Sequence, residues 1–227
     1  MSPADRHTRT RELATESVRG DDPTAWFDRL YRAAEAGEAV IPWDRRAPHR
    51  LLVEWAQRQR VPDDGARALV VGCGLGDDAE YVATLGHKTI AFDIAAGAVE
   101  GARRRFATSA VEYVVADLLD PPTRWRDAFG FVLESLTVQS LPEHLHPDAI
   151  RRVTEFVAPG GTLLVISTAR DEQAPVDGPP WPLTRRELDA FANDELEPVR
   201  IDEIPDELQP SVRRWRGEFR RVGSATA

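Results

Sequence analysis

After Asp63 the chain alternates short apolar runs with stretches of helical spacing, and that alternation admits few folds. Five runs, at 68–72, 88–93, 111–117, 129–135 and 162–168, read as strands, with helices predicted near 77–85, 96–106 and 143–157. Strand, helix and strand repeated in this order close as a parallel sheet covered on both faces. Two further strand-like runs, 198–204 and 214–222, stand close enough to pair as a C-terminal antiparallel hairpin. They follow a helix over 184–191 whose Thr184-x-x-Glu187 start is a capping box. The fold class is therefore α/β, a doubly wound sheet of seven strands.

The N-terminal part has a different character. Residues 1–22 are polar and mixed in charge, which predicts a flexible tail. Between Pro23 and Arg60, large residues such as Trp26, Leu30, Tyr31, Leu52 and Trp55 recur at helical spacing, broken by Gly37 and the IPWDRRAP loop. A helical cap over 23–64 and a core over 65–227 then make one domain, since 227 residues with 42% apolar content can bury a core without staples. The net charge of -9 argues against a nucleic-acid partner. No apolar run approaches the roughly 20 residues a membrane span needs. The lone Cys73 and the charged N-terminal stretch point to the cytoplasm. Nothing in the pattern reports the oligomeric state.

The first strand runs into VVGCGLGDD, with Gly72, Gly74 and Gly76 at alternate positions before a helix. Glycines there turn the backbone sharply and let a ligand approach bare amides at the helix start, although a tight turn alone would also explain them. The second strand ends at Asp93, a carboxylate placed to accept both hydroxyls of a ribose. At the third strand end stands Asp117, placed for an adenine amino group. Three consecutive strand ends thus describe one nucleoside pocket. A nicotinamide dehydrogenase would share the glycine loop and the ribose acid.

The G-x-G-x-G spacing, the acid at Asp117 and the Pro159-Gly160-Gly161 turn before the fifth strand resemble the class I methyltransferases over Ala68 to Val222. The resemblance implies a Rossmann-like sheet that binds S-adenosyl-L-methionine and releases S-adenosyl-L-homocysteine, with Ile94 and Leu118 beside the two acids on the same ligand. Upstream, AWFDRLYRAAEAGEAVIPWDRRAPHRLLVEW is similar to the thiopurine and thiol/halide methyltransferase group, in which an aromatic helix and a Pro-Trp-Asp loop close over the cofactor. The matching residues are Trp26, Pro42, Trp43 and Asp44, and G-C-G-x-G-x-D matches Gly72 to Gly76 with Asp78. Arg46 stands where that group commonly has glycine. Tyr31 and Trp43 could set ring faces near a sulfonium, or serve as the core of the helical cap. The implied reaction is methyl transfer to a small-molecule acceptor, thiol sulfur favoured, with oxygen or nitrogen as alternatives. An NAD(P)-dependent oxidoreductase and a non-catalytic adenosine-ligand binder remain as other readings.

Sulfonium displacement needs alignment and water exclusion more than a strong base. Around the fourth strand end, Glu134, Thr137 and Gln139 are candidates to meet the acceptor, with Glu134 also a candidate for the methionine end of the cofactor or for capping a loop. Arg170, Trp181 and Tyr31 are candidates to line the acceptor pocket, and His144 is a candidate proton acceptor. His144 and His146 are two apart and point to different faces of a helix, so no metal site is expected. Cys73 is expected behind the cofactor. The DPPT at 120–123 follows the third strand and lacks the aromatic of base-modifying enzymes, whose motif follows the fourth.

Overall fold

The computed structural model describes residues 3–18, 23–59, 66–176, 178–207 and 209–223. One sheet holds seven strands: β1 (Arg67–Val71), β2 (Lys88–Asp93), β3 (Glu112–Val115), β4 (Phe129–Ser135), β5 (Val157–Thr168), β6 (Leu196–Pro205) and β7 (Arg213–Arg221). Their order is β3-β2-β1-β4-β5-β7-β6. The first five in that order pair in parallel, and β7 runs antiparallel to both β5 and β6.

Side chains alternate across the strands, so neighbouring residues enter opposite cores. Leu69, Val71 and Phe92 face α6 (His146–Glu155) and α7 (Arg185–Asp189) through Ile150, Val153 and Leu188. Ala68, Val70 and Ala91 face α3 (Arg50–Arg58), α4 (Asp77–Thr84) and α5 (Ala96–Arg105) through Leu52, Val82 and Val99. The capping box at α7 forms as expected, with Thr184 Oγ1 accepting from Glu187 N and Glu187 Oε2 from Thr184 N.

Several boundaries differ from the sequence reading. The β3 ladder stops at Val115, leaving Asp117 in the following loop, where its Oδ1 accepts from Leu119 N at 2.8 Å. Strand β5 begins at Val157, and its register on β4 jumps from Phe129↔Val157 to Phe131↔Thr162. The Pro159-Gly160-Gly161 turn is therefore a bulge inside β5, with Gly160 at φ 76°. The helix expected over 143–157 splits into a 3-10 turn at Glu143–Leu145 and α6.

Of the tail expected over 1–22, residues 3–18 instead form α1 (Pro3–Val18), which lies against α2 (Ala25–Glu35), and the rest lies outside the described residues. Leu13 is buried with Trp26, Leu30 and Ala39, and Thr10 Oγ1 donates to Val40 O at 2.8 Å. The Arg29–Glu16 ion pair at 3.1 Å joins α1 to α2 as well, and the aromatic face of α2 receives Leu13. Average composition cannot register so local a contact. Among the described residues, no helix is long and apolar enough to cross a membrane.

Candidate functional site

Strand β1 lies between β2 and β4, so the chain winds away from it in both directions and opens a crevice at the carboxyl ends of the strands. A cavity of about 480 Å³ occupies that crevice. Its floor is the turn between β1 and α4. Gly72 and Gly74 there take φ of 60° and 53°, a left-handed conformation that disfavours side chains. A Cβ on Gly72 would fall 2.2 Å from Thr137 Oγ1, and one on Gly74 would fall 3.1 Å from Tyr31 Oη. Close packing therefore demands these glycines even before a ligand is considered.

Asp93, at the end of β2, lines the cavity and is held by the turn itself. Its Oδ2 accepts from Gly74 N and its Oδ1 from Ala95 N, both at 2.9 Å. Burial pushes its carboxyl up to about 6, against the pull of those backbone donors. A carboxylate has about four acceptor positions, so a diol can still be received. Ile94, Asp117 and Leu118 continue the same wall. Burial and the nearby Asp93 push the Cys73 thiol up, so it packs into the wall as a thiol and not as a redox thiolate.

The roof is the cap. Trp43 Nε1 donates to Tyr31 Oη at 2.8 Å, and the Trp43 ring meets Trp26 edge-on at 6.1 Å and Tyr31 at 6.2 Å. Trp26, Tyr31 and Trp43 all line the cavity, while Trp26 also belongs to the small core beneath α1. The two roles weighed for these aromatics coexist. Several polar links fasten the roof to the sheet domain, among them Gly97 N donating to Asp28 Oδ1 at 2.9 Å. Arg105, on α5, reaches Asp44 at 2.8 Å and Asp77 at 2.7 Å. Burial alone would raise the Asp44 carboxyl, but the Arg105 hydrogen bonds and charge hold it below its ordinary value. Asp78 lines the cavity and accepts from His49 N at 2.6 Å, tying α4 to the start of α3. Arg46 sits at φ 53°, which explains why a glycine suits that position.

Beyond the β4 and β5 ends the wall contains Thr137, Gln139, Thr168 and Arg214. Thr137 Oγ1 donates to Val71 O at 2.9 Å, and Gln139 Oε1 accepts from Thr168 N at 2.5 Å. Five candidates lie outside the cavity wall. Glu134 is wholly buried behind the loop, where its Oε1 accepts from Thr137 N at 2.7 Å and Val138 N at 2.9 Å while Oε2 has no partner. That is the loop-capping role, and burial pushes its carboxyl up to about 7. Gly76, at φ 95°, turns the chain into α4 against Tyr113. His144 is exposed on its 3-10 turn. Arg170 is spent on Pro182 O, Ala174 O and Glu143, stapling the 171–182 loop. Trp181 packs on Gly178 in that loop, which offers Pro179 and Pro180 to the cavity in its place. His146 is buried with Nδ1 2.6 Å from Glu187 Oε1 and Nε2 2.8 Å from Leu141 O, an internal fastening.

Arg105, Arg214 and His49 are among the residues of the site that escaped the sequence reading, with Arg45 and Thr168. Arg105 sits in an Arg-Arg-Arg run at a helix end, an ordinary pattern for a helix dipole. Arg214 lies on the hairpin, far in sequence from the motifs. His49 precedes α3 and caps it, its Nδ1 accepting from Leu51 N at 3.2 Å.

A family model described as a methyltransferase domain matches residues 68–161. The chain is similar to the 2-heptyl-1-hydroxyquinolin-4(1H)-one methyltransferase of Mycobacteroides abscessus, 26% identical over 204 residues that cover 86% of this chain and 88% of that protein. It is also similar to probable thiol methyltransferase 2 of Arabidopsis thaliana, 26% identical over 157 residues covering 68% and 67% of the two chains. Among solved structures, the N-methyltransferase NodS from Bradyrhizobium japonicum WM9, in complex with S-adenosyl-L-homocysteine, shares the fold with a TM-score of 0.59. That match covers 96% of this chain and 98% of NodS at 18% identity.

Proposed function

The chain is a class I S-adenosylmethionine-dependent methyltransferase near the thiol methyltransferase group, and on that premise we propose that its acceptor is a small molecule methylated at thiol sulfur. The donor set of the cavity fits the cofactor. Asp93 would take the ribose diol, Asp117 the adenine amino group, and the Gly72–Gly74 turn the amino-acid end, under Trp43 and Tyr31. When bound, S-adenosylmethionine supplies an activated methyl on a sulfonium that leaves as a neutral thioether. The aromatic rings offer a cation–π attraction of about 0.5–2 kcal/mol that favours the charged form over the spent one. The roof, fastened through Arg105, keeps water away from the transfer.

The observation that carries the sulfur preference is the chemistry of the acceptor wall. Thr137 and Gln139 are engaged with backbone, Asp78 with His49 N, and His49 Nδ1 with Leu51 N. Glu134 is shut behind the loop. Each of these groups is already committed to the protein's own backbone, a weaker provision for stripping a proton from an alcohol than a free base would be. A thiol with pKa of about 8.5 already supplies thiolate near neutral pH.

The test is incubation with S-adenosylmethionine and a matched pair, thiophenol and phenol, with products read by mass spectrometry. Methylation of thiophenol alone is expected, whereas methylation of phenol alone would move the acceptor atom to oxygen. In parallel, Asp93→Ala should weaken S-adenosylhomocysteine binding by about 1–3 kcal/mol through loss of a charged acceptor. Unchanged calorimetric affinity would remove the ribose assignment.

A further inference from the structure

In His49 the backbone N and Nδ1 are both committed, and the other ring nitrogen is not. The backbone N donates to Asp78, and Nδ1 accepts from Leu51 N, which places the ring hydrogen on Nε2. His49 is only 6% exposed, it lines the cavity, and Nε2 has no hydrogen-bond partner among the described residues. A buried donor left unsatisfied is costly, so its persistence beside a ligand cavity points to the ligand as its partner.

The surroundings state what kind of partner. Arg214, on β7, and Arg45, on the cavity rim, both line the same wall. Burial first, then the charges of Arg45, Arg214 and Arg50, hold the His49 imidazole down to about 3, so the ring stays neutral and donates from Nε2 throughout the physiological range. Arg214 is anchored by Asp206 at 3.0 Å and by Thr168 Oγ1, while Arg45 makes no ion pair with a described residue. A neutral N–H donor beside the Arg45 and Arg214 guanidinium groups suits an anionic oxygen, with Asp206 taken up by Arg214 and Asp78 by the His49 backbone N. It does not suit the attacking atom, because a hydrogen bond to the attacking lone pair must be given up as the methyl arrives.

We propose that His49 Nε2, with Arg214 and Arg45, forms a subsite for an anionic oxygen on the methyl acceptor, separate from the atom that is methylated. The acceptor class is thus a small thiol bearing a carboxylate or an equivalent oxyanion. The proposal rests on the methyltransferase site described above. The cofactor's own carboxylate offers the same chemistry, but His49 shares its wall with Arg214 and Thr168 at the β5 and β7 ends, across β1 and β4 from Asp93 and Asp117.

The experiment is calorimetric titration of full-length protein saturated with S-adenosylhomocysteine, using 2-mercaptobenzoate and its methyl ester as probes. The variant is His49→Asn, which can still cap α3 but lacks the distal N–H. The wild type should bind the acid at least about tenfold more tightly than the ester. His49→Asn should lose most of that preference while keeping its affinity for S-adenosylhomocysteine. Equal affinity for acid and ester, no binding of the acid, or a preference that survives in His49→Asn overturns the proposal. A variant that loses S-adenosylhomocysteine affinity assigns the donor to the cofactor carboxylate and also overturns it. Failure of the wild type to bind S-adenosylhomocysteine is a different result, which refutes the site itself.

Discussion

Glu134→Gln separates a structural carboxyl from a catalytic one. In the native chain the side chain is wholly buried, with two backbone N–H groups on Oε1 and none on Oε2. Burial, opposed by those two donors and by His146, raises its carboxyl from 4.5 to about 7. The folded state therefore penalises the ionised form. Stability attached to this group is fully present below pH 4.5 and is lost as pH rises through about 7. Between pH 5 and pH 8 that linkage amounts to about 2–3 kcal/mol. Glutamine keeps an oxygen for Thr137 N and Val138 N and replaces the unpartnered Oε2 with a neutral amide. Asp93, whose carboxyl is also raised, is common to both proteins and cancels in the comparison. Denaturant unfolding at the two pH values should show the wild type losing about 2–3 kcal/mol more than the variant. Methyl transfer should persist, because the side chain does not line the cavity. Parallel pH dependence of the two proteins would refute the burial argument, and a variant that binds cofactor but transfers no methyl would restore Glu134 to the chemistry.

Arg105→Leu removes the link between the roof and α4 and leaves Asp44 and Asp77 without their shared cation. S-adenosylhomocysteine affinity should fall about tenfold while Tm drops by only a few degrees, and an unchanged Kd would show that the roof holds without the latch. Arg46→Gly relieves a left-handed residue at φ 53° and should raise stability by about 1 kcal/mol, and destabilisation in a denaturant titration would mean that the Arg46 side chain has a contact worth more than the strain.

The sheet was legible because its information is local. Each of the seven strands announces itself within a dozen residues by apolar content and flanking turns, and the capping box at Thr184 needs only four positions. The half of the cavity proposed for a nucleoside is legible for the same reason, since Gly72, Gly74, Asp93 and Asp117 occur in one continuous βαβαβ stretch. Errors arose where a role depends on a distant partner. A helix over 3–18 follows from Leu13 finding Trp26 and Leu30, and Glu134 is hidden by a loop that folds back over it. The strongest case is the wall proposed to meet the acceptor.

That wall is assembled from Arg45 and His49 in the cap, Thr137 after β4, Thr168 at the end of β5 and Arg214 on β7. No two of these segments are adjacent in the chain, and each residue taken alone is an ordinary surface arginine, helix cap or loop threonine. Only the sheet order, which carries β7 next to β5, sets the Arg214 guanidinium over Thr168 and brings it to His49. The half of the pocket proposed for the adenosine is thus specified by a contiguous motif, and the half proposed for the acceptor by topology. A reading of motifs alone therefore reaches the reaction class and stops short of the acceptor, because the residues proposed to meet it come together only after the hairpin has closed the sheet.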